Sequence, residues 1–130
     1  MKNEFILWAY ALMLSALTYV TPIIPILLTV CLLIIVDTIL GVWSSIKRGH
    51  RITSNRAGRI ITKMFVYQTV LLTLFVVEQH IWGEWIAAVK IAAGAIAVVE
   101  TISILENSGI ILGEPVFKFL INKLGSKSNK

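Results

Sequence analysis

Residues 26–46, with the sequence ILLTVCLLIIVDTILGVWSSI, contain a single charged side chain, that of Asp37. A helix needs about 20 consecutive, mostly apolar residues to cross the hydrocarbon core of a bilayer, and this stretch has that length. Comparable apolar stretches occupy residues 60–81 and 86–107. They are continuous blocks rather than alternating or one-sided patterns, so a soluble fold could not bury them. The sequence therefore predicts an integral membrane protein made of helices.

The composition supports this prediction. Of the 130 residues, 57% are hydrophobic and 15% are charged, whereas about 25% of the residues of a soluble domain carry a charge. A chain of this length has room for three or four helical spans with short connections. Its single cysteine, Cys31, lies inside an apolar stretch and has no partner for a disulfide or a metal cluster. We interpret Cys31 as a packing residue and expect no cofactor.

The first apolar block extends from residue 5 to residue 46 and is too long for one crossing. As a single helix it would measure about 60 Å, twice the thickness of the hydrocarbon core. Proline lacks a backbone donor and disfavours helix in the residue before it, so Pro22 and Pro25 predict a reversal at 21–25. A cleaved signal peptide is the alternative interpretation of the N-terminus, but residues 14–17 match a cleavage site poorly.

Taken together, the segments predict an all-α fold in a single domain, residues 1–130. We expect four transmembrane helices, the first one short, at about 5–20, 26–46, 60–81 and 86–107. Asn107-Ser108-Gly109 offers an end for the fourth helix. Residues 114–124 are expected to form an amphipathic helix in the membrane interface. Its apolar face consists of Phe117, Leu120, Ile121 and Leu124, with Lys118 and Lys123 pointing elsewhere.

Positive charge predicts the orientation of the spans. Residues 47–59 connect the second and third spans and are the most basic segment of the chain. Basic loops stay on the cytoplasmic side of a membrane, so we expect this loop and both termini in the cytoplasm. The residues expected to contact anionic lipid are Lys47, Arg48, Arg51, Arg56 and Arg59. A nucleic-acid patch is less well supported, because no aromatic residues are interleaved with the charges, and no nucleic-acid partner is expected.

The few polar residues inside the spans are the candidate functional residues. A carboxylate at mid-bilayer costs at least about 2.5 kcal/mol, so Asp37, Glu100 and Glu106 should face protein, water or a partner. On the second span the residues that share a face at i, i+4 and i+7 are Asp37, Gly41 and Ser44. On the fourth span the small and polar residues of one face are Ala93, Ala97, Glu100, Ser103 and Asn107. Small residues let helices approach closely in lipid, so these faces predict helix–helix contacts or, in an oligomer, the lining of a lumen.

Lys63, near the start of the third span, is a candidate partner for the buried carboxylates. Counted from the ends of their spans at 1.5 Å per residue, Asp37 and Glu100 lie about 10–14 Å deep, a level that the lysine side chain can reach. We hypothesise that Lys63 neutralises Asp37 or Glu100 in the closed bundle, and that separating the charges favours entry of water. The alternative is that the carboxylates are protonated and hydrogen-bonded in a packed bundle.

No pattern in the sequence predicts an enzyme. His50 and His80 are expected on opposite sides of the membrane, and the chain contains no H-x-x-x-H, C-x-x-C, G-x-S-x-G or P-loop motif. Gly41, Gly58 and Gly94 are isolated, which is typical of packing sites rather than of phosphate-binding loops. We therefore expect neither catalytic residues nor a metal site.

Two segments resemble a known family. The run Asp37-Thr38-Ile39-Leu40-Gly41, followed by Lys47, Ser54 and Lys63, is similar to the D-x-x-x-G…S…K pattern of a phage holin family that includes toxin-secretion holins. Residues 100–107, ETISILEN, with Gly113 and Pro115 after them, are similar to the E-x-x-S-I-L-E-N signature of that family. The resemblance covers about residues 26–120, and its second part is the more specific.

The resemblance implies a non-enzymatic protein that accumulates in the cytoplasmic membrane of a bacterial host, oligomerises and opens lesions for timed lysis. Its partners would be further copies of itself and anionic lipid, while a phage endolysin would escape through the lesions without required direct contact. The alternatives are a holin-like toxin export factor, a small proton-coupled transporter, a holin antagonist and a passive membrane scaffold. The transporter is suggested by the membrane-embedded acids Asp37 and Glu100.

Overall fold

The computed structural model of the protein describes residues 2–50, 54–83 and 87–127, with side chains at 3–50, 58–83 and 87–122. This part of the chain is helical almost throughout and contains no β-strand. Its α-helices are α1 (Lys2–Val20), α2 (Ile24–Lys47), α3 (Ser54–Val77), α4 (Ala88–Leu112) and α5 (Val116–Lys127). A 3-10 turn at Thr21–Ile23 joins α1 to α2, and a π-helical turn at Glu78–Trp82 follows α3. The predicted all-α class is confirmed.

Within the described ranges, three helical stretches are long and apolar enough to cross a membrane, namely Asn3–Lys47, Gly58–Trp82 and Ala88–Leu112. The first has 45 residues, which corresponds to about 68 Å at 1.5 Å per residue, roughly twice the hydrocarbon thickness. Most apolar side chains of these stretches point outward rather than into the bundle. A soluble protein buries its large apolar side chains instead, so the chain is an all-α membrane protein.

The structure differs from the sequence-based expectation at 21–25, where a reversal was predicted. The backbone at Val20, Ile23 and Ile24 keeps right-handed helical dihedrals through the 3-10 turn. Pro22 and Pro25 each lie in the first turn of a helical element. The N–H groups of a first turn have no partner within the helix, so a proline is accommodated there without a break. The two prolines therefore change the type of helix rather than turn the chain back.

Helix α1 meets the rest of the molecule at its C-terminal end. The ring of Tyr19 packs edge-on against Phe75, with centroids 5.5 Å apart. The Tyr19 hydroxyl also lies 2.9 Å from Nε2 of His80, and Val20 packs against the apolar core. Side chains 3–19 of α1 are exposed, which leaves most of this helix for contact with lipid.

The helices α2, α3 and α4 form the bundle that carries the core. α2 and α4 pack most closely and run in the same direction, because Ser44 meets Asn107 and Lys47 meets Ile111. α3 runs the opposite way and packs against both of them. The core consists of Ile23, Val30, Ile34, Leu71, Phe75 and Val89. We call the end with Lys47, Arg48 and Arg59 the basic end, and the opposite one the Glu78 end.

At the Glu78 end, a carboxylate caps a helix that follows it in the chain. Oε2 of Glu78 accepts a hydrogen bond of 2.9 Å from the backbone N–H of Val89, in the first turn of α4. This satisfies one of the unpaired donors at the helix start and places a negative charge at the positive end of its dipole. Gly83 ends the π-helical turn with φ of 59°, a value that favours glycine.

The helix predicted as the fourth span ends later than expected, since α4 continues through Asn107-Ser108-Gly109 to Leu112. Asn107 directs its side chain to α2 rather than to its own backbone, so it does not compete with the helix. The helix ends instead at Gly113, whose φ of 82° is left-handed. α5 follows, with Phe117, Leu120 and Ile121 exposed; the side chains of Lys123 and Leu124 lie outside the described residues.

Candidate functional site

Three charged side chains from three different helices meet inside the bundle. Nζ of Lys63 on α3 lies 3.2 Å from Oδ2 of Asp37 on α2 and 2.6 Å from Oε2 of Glu100 on α4. The sequence predicts that Lys63 pairs with one of the two carboxylates, whereas in the structure it contacts both. We call these three residues the charged cluster. It connects all three helices of the bundle at about the middle of their length.

Hydrogen bonds extend the charged cluster towards the basic end. Nδ2 of Asn107 donates to Oδ1 of Asp37 over 3.2 Å, and the Ser44 hydroxyl donates to Oδ1 of Asn107 over 2.8 Å. Gly41 lies beside this chain, where an added Cβ would be 3.5 Å from Nδ2 of Asn107, an ordinary contact distance. The predicted polar faces of α2 and α4 therefore meet each other, and their polar atoms are joined directly.

The three side chains of the charged cluster differ in how far they are buried. The Glu100 side chain is 0% exposed, that of Asp37 is 15% exposed and that of Lys63 is 30% exposed. If both carboxylates are ionised, two negative charges share one ammonium. Oε1 of Glu100 is buried without a hydrogen-bond partner among the described residues. A buried charge is costly unless it is paired, so Lys63 is essential to the balance of the site.

A cleft leads from the basic end to the charged cluster. It has a volume of about 370 Å³, and its lining includes Asp37, Lys63 and Asn107. Arg48 and Arg59 line it as well, at the basic end. Water can enter this cleft, since it is open and partly polar. The Asp37–Lys63 pair is thus accessible from the basic end, whereas Glu100 is closed off.

The remaining candidate residues are distributed over the molecule. Ser103 lines the same cleft as the charged cluster. Ala93 and Ala97 line a different groove of about 360 Å³, between α2 and α4 towards the Glu78 end. Glu106 is exposed on a third groove of about 700 Å³, formed by α4 and α5. The structure therefore does not bring Glu106 to Asp37 and Glu100.

Of the predicted basic residues, three are within the described part of the chain. Nζ of Lys47 donates to the backbone oxygen of Ile111, near the end of α4. Arg48 and Arg59 are exposed. Arg51 and the side chain of Arg56 lie outside the described residues.

The sequence did not identify Gln68, which joins α3 to α2. Its Nε2 atom donates to the backbone oxygen of Leu27 over 3.1 Å and lies 2.9 Å from Sγ of Cys31. Its Oε1 atom is buried without a partner among the described residues. An amide inside an apolar span is a signal for such a contact, because it costs free energy when it faces lipid.

One of the comparisons with known proteins gives a match. No curated protein and no solved structure gives a significant match to the chain. The profile of the bacteriophage holin family matches residues 15–128. This range includes α2, α3, α4 and all residues of the charged cluster. The chain therefore belongs to the bacteriophage holin family.

Proposed function

We propose that the protein is a holin that oligomerises in the cytoplasmic membrane of a bacterial host and opens lesions through which a phage endolysin reaches the cell wall. The observation that carries this proposal is the family match across residues 15–128. The proposed role is physical rather than catalytic, so it needs no cofactor. Direct contact with the endolysin is not required either.

The charged cluster suggests how a closed bundle becomes a water-lined assembly. In the closed state Lys63 balances Asp37 and Glu100 within the bundle. Rearrangement that separates α3 from α2 and α4 would expose these charges, and they are stable only where water or other charges surround them. Assembly of several copies around such polar faces would supply that water. The cleft at the basic end is the entry that already exists.

Lateral association is supported by the surface of the bundle. An open groove towards the Glu78 end has the small residues Ala93, Gly94 and Ala97 of α4 on one wall and larger side chains such as Ile26 and Leu33 of α2 on the other. In lipid, helices associate through close packing of small residues rather than through a hydrophobic drive. Homo-oligomers that use this groove are therefore part of the proposal.

The proposed orientation places the basic end in the cytoplasm. Lys47, Arg48 and Arg59 lie there, and positive charge is retained on the cytoplasmic side and attracted to anionic lipid. Both termini in the cytoplasm would require α1 to cross separately and the chain to reverse at Thr21–Ile23, whereas the helical backbone found there continues α1 into α2. A reporter fused to the N-terminus tests this: a cytoplasmic signal supports four crossings, and a signal from the other side supports three.

A proton-coupled transporter is the second candidate, because an open cleft reaches Asp37, a carboxylate inside the membrane that is paired with Lys63. Such a protein would move protons without interrupting growth. A toxin export factor would be encoded beside a toxin rather than an endolysin, and it would release that toxin from living cells.

Timed induction tests the proposed function. The protein is expressed in a bacterium that contains a cytoplasmic muralytic enzyme, and culture density and membrane potential are followed. We expect abrupt lysis that requires both proteins, preceded by loss of potential. Continued growth at full potential, with the protein present in the membrane, would contradict the proposal. Steady proton flux without lysis would favour the transporter.

A further inference from the structure

Two guanidinium groups at the basic end, which the proposed function uses only to orient the chain in the membrane, lie at one opening. Arg48 forms the C-terminal cap of α2, Arg59 lies in the second turn of α3, and both line the same cleft. Within the described part of the chain, the ion pairs are those of Lys63 with Asp37 and Glu100. Neither arginine is thus paired with a described carboxylate. Two like charges on one opening repel each other unless an anion lies between them.

The position of the two arginines matches the level of lipid headgroups. One apolar stretch ends at Lys47 and the next begins at Gly58, so each arginine lies within one residue of the end of a stretch. Headgroup phosphates lie at the ends of transmembrane helices, just outside the hydrocarbon core. Nζ of Lys47 is occupied by the backbone oxygen of Ile111, which leaves Arg48 and Arg59 as the cations at the opening among the side chains that the structure describes.

The interior of the cleft favours an anion that carries an apolar chain. Its walls include the apolar side chains Val42 and Ile60, and its deeper part contains Asp37. With the two carboxylates ionised, the charged cluster beyond has a net negative charge, so an anion that enters far is repelled. A molecule with a phosphate at one end and an apolar chain at the other can keep its phosphate at the arginines and place its chain along the apolar walls.

We propose that the cleft is a phosphate-binding site, with Arg48 and Arg59 holding the phosphate of an anionic phospholipid. Guanidinium groups bind phosphate through paired, charge-assisted hydrogen bonds, which are stronger than neutral ones. The bound lipid ties α2 to α3 at the entry to the charged cluster. This inference refines the cytoplasmic orientation proposed above, since anionic lipid is enriched in that leaflet, and it rests on that orientation for its role in the cell.

The binding test uses the full chain purified in maltoside micelles. Its thermal unfolding is measured with added dihexanoyl-phosphatidylglycerol, with dihexanoyl-phosphatidylcholine and with inorganic phosphate, all at one ionic strength. We expect Tm to rise with phosphatidylglycerol concentration, because a ligand that binds the folded state stabilises it. Phosphatidylcholine should have a smaller effect. If inorganic phosphate also raises Tm, the phosphate group alone is sufficient for binding. If it does not, while phosphatidylglycerol does, the acyl chains are needed as well, and either result supports the site.

The variant that tests the residues combines Arg48→Gln with Arg59→Gln. Loss of two charge-assisted contacts should weaken the apparent affinity for phosphatidylglycerol by at least about tenfold. Lys118→Gln is the matched control, because it removes one exposed cation of α5 beyond the cleft. Helix content by circular dichroism verifies folding, and the single variant Arg59→Gln replaces the double one if that does not fold.

Two results would overturn the site: equal stabilisation by the two lipids, or a double variant that binds phosphatidylglycerol as the unmodified protein does. The measurement needs no lysis, so it is independent of the proposed function. Binding without lysis in cells contradicts the holin proposal alone. Lysis without binding contradicts the lipid site alone.

Discussion

The two halves of the helix bundle are stabilised by different interactions. Towards the Glu78 end, the helices are held by apolar packing among Ile23, Val30, Ile34, Leu71, Phe75 and Val89. Towards the basic end, they are joined by ion pairs and hydrogen bonds from Glu100 through Lys63, Asp37 and Asn107 to Ser44. Apolar packing is sensitive to the shape and volume of the side chains, whereas the stability of the polar half depends on charge balance. Hydration therefore has its larger energetic consequence in the polar half.

Lys63→Met should have the largest effect, since it leaves Asp37 and Glu100 without their cation. Breaking a buried ion pair from one side costs about 3–5 kcal/mol. We expect a loss of that size in the free energy of unfolding, measured in mixed detergent micelles, and an earlier onset of lysis in cells. Lys90→Met, which removes an exposed lysine, is the control. Unchanged stability and unchanged timing in Lys63→Met would show that the charge balance has no role.

A triple variant separates charge from packing at this position. Adding Asp37→Asn and Glu100→Gln to Lys63→Met removes the uncompensated charges, so most of the lost stability should return. If it does not, the aliphatic stem of Lys63 accounts for the loss.

Leu71→Ala should have the next largest effect, because Leu71 is 0% exposed in the apolar half. Removal of a buried leucine side chain leaves a cavity and costs about 2–4 kcal/mol. Leu32→Ala is the control, since Leu32 is 60% exposed on the bundle surface. Leu71 and Lys63 are about 12 Å apart along α3, so combining Leu71→Ala with Lys63→Met should give additive losses. A strong coupling between them would mean that the two halves act as one unit.

Asn107→Ala should have a smaller effect of about 1 kcal/mol, the usual net value of a hydrogen bond between helices in a membrane. The change removes the bonds to Asp37 and Ser44. Ser44→Ala removes one of the two, and it should therefore cost less. In the double variant the two losses should not add, and full additivity would argue against the observed contact.

Tyr19→Phe should have the smallest effect, below about 1 kcal/mol, because it removes one hydroxyl contact at an exposed site. The phenylalanine ring keeps the packing on Phe75, and the bond to His80 is lost. Tyr10→Phe, on the exposed part of α1, is the control. A loss as large as that of Asn107→Ala would mean that α1 is a fixed part of the bundle rather than a helix attached at one end.

Much of the polar half could be predicted from the sequence. Asp37, Lys63 and Glu100 stand out because a charge in an apolar span is costly, and its depth follows from the rise of the helix. That Lys63 meets both carboxylates depends on how three helices pack, which no single helix specifies. For the same reason Asn107 was identified as a polar residue of one face, but its bond to Asp37 was not.

The errors come from local signals that tertiary contacts override. Asn107-Ser108-Gly109 has the residues of a helix end, yet α4 continues to Leu112 because the polar groups are used elsewhere. The closely spaced Pro22 and Pro25 predict a reversal of the chain. Both prolines instead occupy first-turn positions, where proline fits a helix. Gln68 was overlooked since an uncharged amide disturbs an apolar pattern less than a carboxylate does.

The parallel arrangement of α2 and α4 has a consequence for the basic end. Two helices that run in the same direction place the negative ends of their dipoles side by side, where they repel each other. Cations at this end counter that repulsion: Lys47 donates to Ile111, one of the last carbonyls of α4, and Arg48 places its charge at the C-terminal end of α2. The positive charges that predict the topology of the chain thus also stabilise its closest helix pair.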